Sequence, residues 1–157
     1  MKRIDLELSK PNPHFIGSWS IEPLTICDEL ISFFETHQTN HTKGQTAGGL
    51  NTESKNSTDL AIRPRELELP DHEPVRDYIE LLFACYKDYL EQWPFLGSIL
   101  PNAEIGSFNI QKYEPGGHFL KLHSERTTLD TSHRVLAWMT YLNDVEDGGS
   151  THFEHQE

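Results

Sequence analysis

The sequence predicts an α+β fold, mostly β in its second part, in which early helices cover one face of a largely antiparallel sheet. Three observations predict it. Apolar residues recur at helical spacing in two long segments of the N-terminal part, the period changes to alternation from Ala103 onward, and 157 residues suffice for one modest core. The chain 1–157 is therefore read as a single domain, with a helical part at 1–103 and the first strands of a sheet at 104–157.

The first helix is expected from Ile21 to His37. Ser20 can cap it, Glu22 and Pro23 suit its first turn, and Leu24, Cys27, Leu30, Ile31 and Phe34 form its buried stripe. Residues 39–58 turn to Gly, Thr, Asn, Lys and Ser with hardly an apolar side chain, which reads as a flexible loop. A second helix runs from Glu73 to Gln92, with Asp71 or His72 near its cap, Pro74 in its first turn, and Val75, Ile79, Leu82, Phe83, Tyr86 and Leu90 facing inward. Pro94 stops it. Strands are expected at Glu104–Tyr113, His118–Glu125, Arg134–Leu142 and from Thr151 to the end, with a tight turn at Glu114-Pro115-Gly116-Gly117 before the second.

With 13 Lys plus Arg against 25 Asp plus Glu, the net charge of −12 disfavours nucleic acid and anionic membranes as partners. No window approaches the apolar length of a membrane span, and acids interrupt the N-terminus where a secretory signal needs an apolar run. Cys27 and Cys85 are far apart and each lies in an apolar-periodic segment, so they read as reduced core thiols. The expected location is the cytoplasm, without nucleic-acid or membrane partners.

Alternation along Glu104–Tyr113 puts Ser107, Asn109, Gln111 and Tyr113 on one face and the packing residues Phe108 and Ile110 on the other. The polar face borders water or a hydrated pocket. In the next strand His123 and Glu125 are two apart, so an imidazole and a carboxylate project from one face and can converge on one cation. Lys121 shares their parity and can reach an acidic ligand, although a side chain snorkelling at a sheet rim is the commoner fate of such a lysine. His14, His37, His41 and His72 fall in loops or helix ends, where surface placement is the default.

A bare His-x-Glu is weak by itself, and its neighbours make it specific. Tyr113 precedes His123 across the Gly-rich turn, a strand ending Tyr141-Leu142-Asn143 follows, and then Gly148-Gly149-Ser150-Thr151-His152-Phe153. This succession, over about Ile105 to Phe153, resembles the prolyl 4-hydroxylase-like branch of the iron(II)- and 2-oxoglutarate-dependent dioxygenases. The resemblance implies a double-stranded β-helix, or jelly roll, with N-terminal helices packed on one sheet. It also implies Fe(II) held by His123 and Glu125, and 2-oxoglutarate bound beside Tyr113 and Tyr141. Asn109, Gln111 and Lys121 are then candidates for substrate contact. The implied reaction hydroxylates a prolyl or other peptidyl group, or a small molecule, using O2 and releasing succinate and CO2, with ascorbate as a further cofactor.

The sequence departs from that family in two ways. Glu125 stands where Asp is usual, and by the family's layout the second iron His and the basic residue that meets the far carboxylate of 2-oxoglutarate fall beyond Glu157. A barrel incomplete at its C-terminus is the expectation. Two rival readings remain: a non-catalytic jelly-roll binding module, and a zinc site pairing His123 with His152 or His155.

Overall fold

A computed structural model describes residues 1–6 and 14–154. Its first strands, β1 (Lys2–Ile4) and β2 (Ser18–Ser20), form a small antiparallel pair. Arg3 and the Trp19 indole both donate to the Asp88 carboxylate, at 2.8 and 2.6 Å, tying that pair to the long helix described below. Helix α1 (Thr25–Thr36) starts four residues later than its periodicity suggests. Ser20 does not cap it, because the β1 ladder pairs Ser20 with Lys2. The buried stripe is accordingly rotated to Ile26, Leu30, Phe33 and Phe34, and Leu24 is exposed.

The segment read as a loop carries structure. It contains β3 (Thr42–Lys43) and β4 (Lys55–Asn56), and it leads into β5 (Thr58–Ile62), a strand the sequence reading missed. Two 3-10 turns, Pro64–Glu68 and Pro70–His72, feed helix α2 (Glu73–Gln92), whose bounds match the expectation. A short α3 (Phe95–Ile99) follows. Strand β6 (Phe108–Lys112) pairs antiparallel with β5 in the register Leu60↔Ile110, and β3 completes that sheet in the order β3-β5-β6. Strand β7 (His118–Phe119) pairs with β4. The intervening turn forms as expected, with Gly116 at a φ of 80° that favours glycine.

Helices therefore cover one face of an antiparallel sheet. Ile26, Leu30, Phe33 and Phe34 of α1, Val75, Tyr78 and Ile79 of α2, and Leu60 and Ile62 of β5 make the core, with Phe108 and Ile110 packed against it. Cys85 is buried, Cys27 is half-buried, and neither forms a disulfide. Burial pushes both thiols up.

The jelly roll is not confirmed. Among the described residues the sheets are a three-stranded one and two two-stranded ones, and no barrel closes. The strand expected at His118–Glu125 ends at Phe119, and the strands expected at Arg134–Leu142 and from Thr151 do not form among the described residues. The amide of Leu120 still donates to the Ser54 carbonyl at 2.9 Å, but beyond it the described residues have no ladder partner. Alternation marks a segment able to lie on a sheet, and only a partner's hydrogen bonds and apolar contacts offset the cost of ordering it. Residues 155–157, where that last strand would continue and His155 lies, are outside the described residues.

Candidate functional site

Lys55 of β4, Ser57 of the link and Asp59 of β5 share one parity, opposite to that of the core residues Leu60 and Ile62, and all three are buried. Asp59 explains how. Its carboxylate accepts from Lys55 Nζ at 2.7 Å, from Ser57 Oγ at 2.7 Å and from Gln111 Nε2 at 3.3 Å. Gly44 closes over the group so tightly that a Cβ there would stand 2.1 Å from Ser57 Oγ. A buried charge pair survives only when its remaining lone pairs and protons are also satisfied, and three donors on one carboxylate meet that condition.

Register brings two of the expected residues into this network. Gln111 stands opposite Asp59 in the ladder, and the Tyr113 hydroxyl donates to Gln111 Oε1 at 3.1 Å. Desolvation, with the Asp59 charge second, pushes the Tyr113 phenol up and keeps it a donor. Asn109 shares that face opposite Ala61 and is exposed.

His123 and Glu125 lie in an exposed, irregular segment rather than on a strand. They are nevertheless neighbours, with His123 Nε2 3.6 Å from Glu125 Oε1. The other ring nitrogen of His123, Nδ1, is 2.9 Å from the Lys121 carbonyl. A carbonyl only accepts, so Nδ1 carries a proton, and in the neutral ring Nε2 turns its lone pair toward Glu125. Arg134 Nη1 donates to the second carboxylate oxygen at 3.0 Å. Lys121 is exposed, and without a strand its parity with His123 has no meaning.

Phe119 connects the two groups. Its ring stacks on His123 with centroids 4.4 Å apart, and Lys55 Nζ lies over the same ring, 5.5 Å from its centroid. One run of contacts thus leads from His123 through Phe119, Lys55, Asp59 and Gln111 to Tyr113. Tyr141 belongs to a different group, its hydroxyl meeting Thr151 Oγ1, so the Tyr-Leu-Asn and Gly-Gly-x-Thr-x-Phe stretches touch each other. No described contact joins Tyr141 to His123 or Tyr113.

Sequence reasoning missed Lys55, Ser57 and Asp59 because a polar composition hides a strand whose polar face is buried. Their alternation with Leu60 and Ile62 was the available signal. It also placed His37 and His72 at the surface, whereas His72 is buried and His37 half-buried. With Asp71 these two make the one group of three metal-capable side chains found among the described residues, well separated in sequence from His123.

No family model matches the chain, and no solved structure matches it. Over 70 residues, 42% of the chain, it is 31% identical to a protein of Arabidopsis thaliana named probable prolyl 4-hydroxylase 9. The chain spans about a quarter of that relative's length, the match covering 24% of it. No helix among the described residues is long and apolar enough to cross a membrane.

Proposed function

We propose that this chain is part of an Fe(II)- and 2-oxoglutarate-dependent dioxygenase of the prolyl 4-hydroxylase-like kind. The observation that carries the reading is the His123 Nε2 to Glu125 Oε1 approach of 3.6 Å, with Nδ1 already engaged. An imidazole lone pair beside a carboxylate oxygen is a donor pair suited to Fe(II), and the partial identity to a prolyl 4-hydroxylase supports the same assignment. When bound, the iron with 2-oxoglutarate and O2 supplies hydroxylation of a carbon, with succinate and CO2 as co-products.

The chain's own residues then have definite tasks. His123 and Glu125 hold the metal, the Lys121 carbonyl and the Phe119 ring fix the imidazole, and Arg134 orients the carboxylate. Tyr113, kept protonated, offers a hydrogen bond to a 2-oxoglutarate carboxylate, whereas Tyr141, whose hydroxyl meets Thr151, is assigned to the cosubstrate by the family resemblance alone. Asn109, Gln111 and Lys121 face the substrate, a prolyl or other peptidyl group or a small molecule, with ascorbate supporting turnover. Anaerobic Fe(II) titration tests the assignment: His123→Ala weakens binding by more than the roughly 10- to 100-fold that a change around the ligands costs. Unchanged Fe(II) affinity in that variant removes His123 from the metal site.

A second reading rests on Arg134, whose contact already neutralises Glu125 and so suits a non-catalytic binding module. Binding of 2-oxoglutarate without Fe(II)-dependent succinate formation would select it.

A further inference from the structure

The carboxy end of α1 and the turn entering α2 bring together two imidazoles and a carboxylate that the proposed dioxygenase chemistry does not use. One ligand atom each from His37, Asp71 and His72 lies within 4.8 Å of the others. His37 Nδ1 is 2.7 Å from the Phe33 carbonyl, so that nitrogen carries a proton. In the neutral ring Nε2 then turns its lone pair toward Asp71 Oδ2, 3.3 Å away. Two acceptors at that distance repel unless a cation or a proton stands between them. Across the same carboxylate, His72 Nδ1 is 2.8 Å from Asp71 Oδ1.

The three groups are held in place before any ligand arrives. Phe33 packs against His37 in a tilted contact at 4.1 Å between centroids and meets the His72 ring edge-on at 4.9 Å. Pro70 opens the 3-10 turn that carries Asp71 and His72 directly into α2. Asp71 is exposed, which leaves water a path to a remaining coordination position. Donor atoms around a tetrahedral ion with bonds of about 2.0–2.1 Å stand about 3.3 Å apart, which the His37–Asp71 pair already meets.

We propose that His37, Asp71 and His72 form a binding site for a divalent transition-metal ion of the zinc class, distinct from the His123–Glu125 pair. Two imidazole nitrogens and one carboxylate suit zinc or cobalt and discriminate against calcium and magnesium, which take oxygen ligands. Bound there, the ion clips the end of α1 to the start of α2.

The test is titration of chelator-stripped protein with zinc, and with cobalt as a spectroscopic reporter of imidazole coordination. The wild type is expected to take up one equivalent at this site and to melt at a higher temperature with zinc than without. Asp71→Asn and His37→Gln, both changes outside the buried core, are expected to weaken that equivalent by more than about tenfold while circular dichroism stays that of the parent. His123→Ala combined with Glu125→Gln leaves it in place, so failure here is separable from failure of the dioxygenase assignment. Absence of uptake by the wild type, or a loss smaller than about tenfold in both single variants, overturns the proposal.

Discussion

Asp59 has the parity opposite to that of the core residues Leu60 and Ile62, yet only 5% of it is exposed. Its partner Lys55 is as well buried, so removing the negative charge strands a positive one. Asp59→Asn is expected to cost about 3–5 kcal/mol, seen as a lowered denaturant midpoint, because the Lys55 ammonium cannot reach water without opening the Gly44 cover. Tyr113→Phe removes one exposed-edge hydrogen bond and is expected to cost about 0.5–1.5 kcal/mol while raising the 2-oxoglutarate concentration needed for half-saturation. A 2-oxoglutarate titration giving the same value for both proteins would take Tyr113 out of the cosubstrate site. The neighbours Gln111 and Tyr113 were legible from alternation along β6. Asp59 was not, since burial of a carboxylate depends on donors that lie four residues behind it and a whole strand away.

At the scale of elements, β5 and α2 hold the fold. Ile62, 1% exposed, ends the central strand β5 within the core cluster shared with α1 and α2, and Ile62→Ala is expected to cost about 2–5 kcal/mol through lost burial and the cavity left behind. Leu136→Ala, in a segment without a ladder, is expected to stay within about 0.5 kcal/mol. Equilibrium urea unfolding of the two variants checks both. Helix α2 was readable to its last residue because an apolar stripe, a proline in the first turn and Pro94 just beyond its end agree. Residues 120–142 show the opposite: the alternation is present and the strand is not, because pairing is a property of two segments.

The whole molecule exposes 11493 Å², where a folded chain of 18.1 kDa is expected to expose about 8,000 Å². Apolar side chains contribute to it: Leu120, Leu122, Leu129, Met139 and Val145 are all exposed, and β6 is an edge strand. Such surface favours self-association. Light scattering is expected to show mass rising with concentration, and Leu120→Lys with Leu122→Lys is expected to reduce it; a concentration-independent monomer would contradict this. Alkaline pH supplies a second check on the whole. Burial pushes the phenols of Tyr78, Tyr89 and Tyr113 above their usual range. The folded chain therefore keeps protons that the unfolded chain releases near pH 10, so their contribution to stability is whole below about pH 10 and is lost as pH rises through the folded values. Denaturant midpoints measured across that range are expected to fall only on its alkaline side.

By itself the sequence determined the limits of α2, the turn at Gly116 and the packing face of β6, but not the expected order of helices before strands, since β1 to β5 all precede α2. What it determined depends on residues near one another in the chain, where period, turn chemistry and spacing act directly. Tertiary structure alone decided that Thr58–Ile62 is the central strand, that Lys55, Ser57 and Asp59 are buried, and that His37 meets Asp71 and His72 across 34 positions. Those outcomes depend on which distant segments share a ladder or a helix junction. The free energy that selects them comes from area buried and hydrogen bonds satisfied between segments, quantities that no local pattern contains.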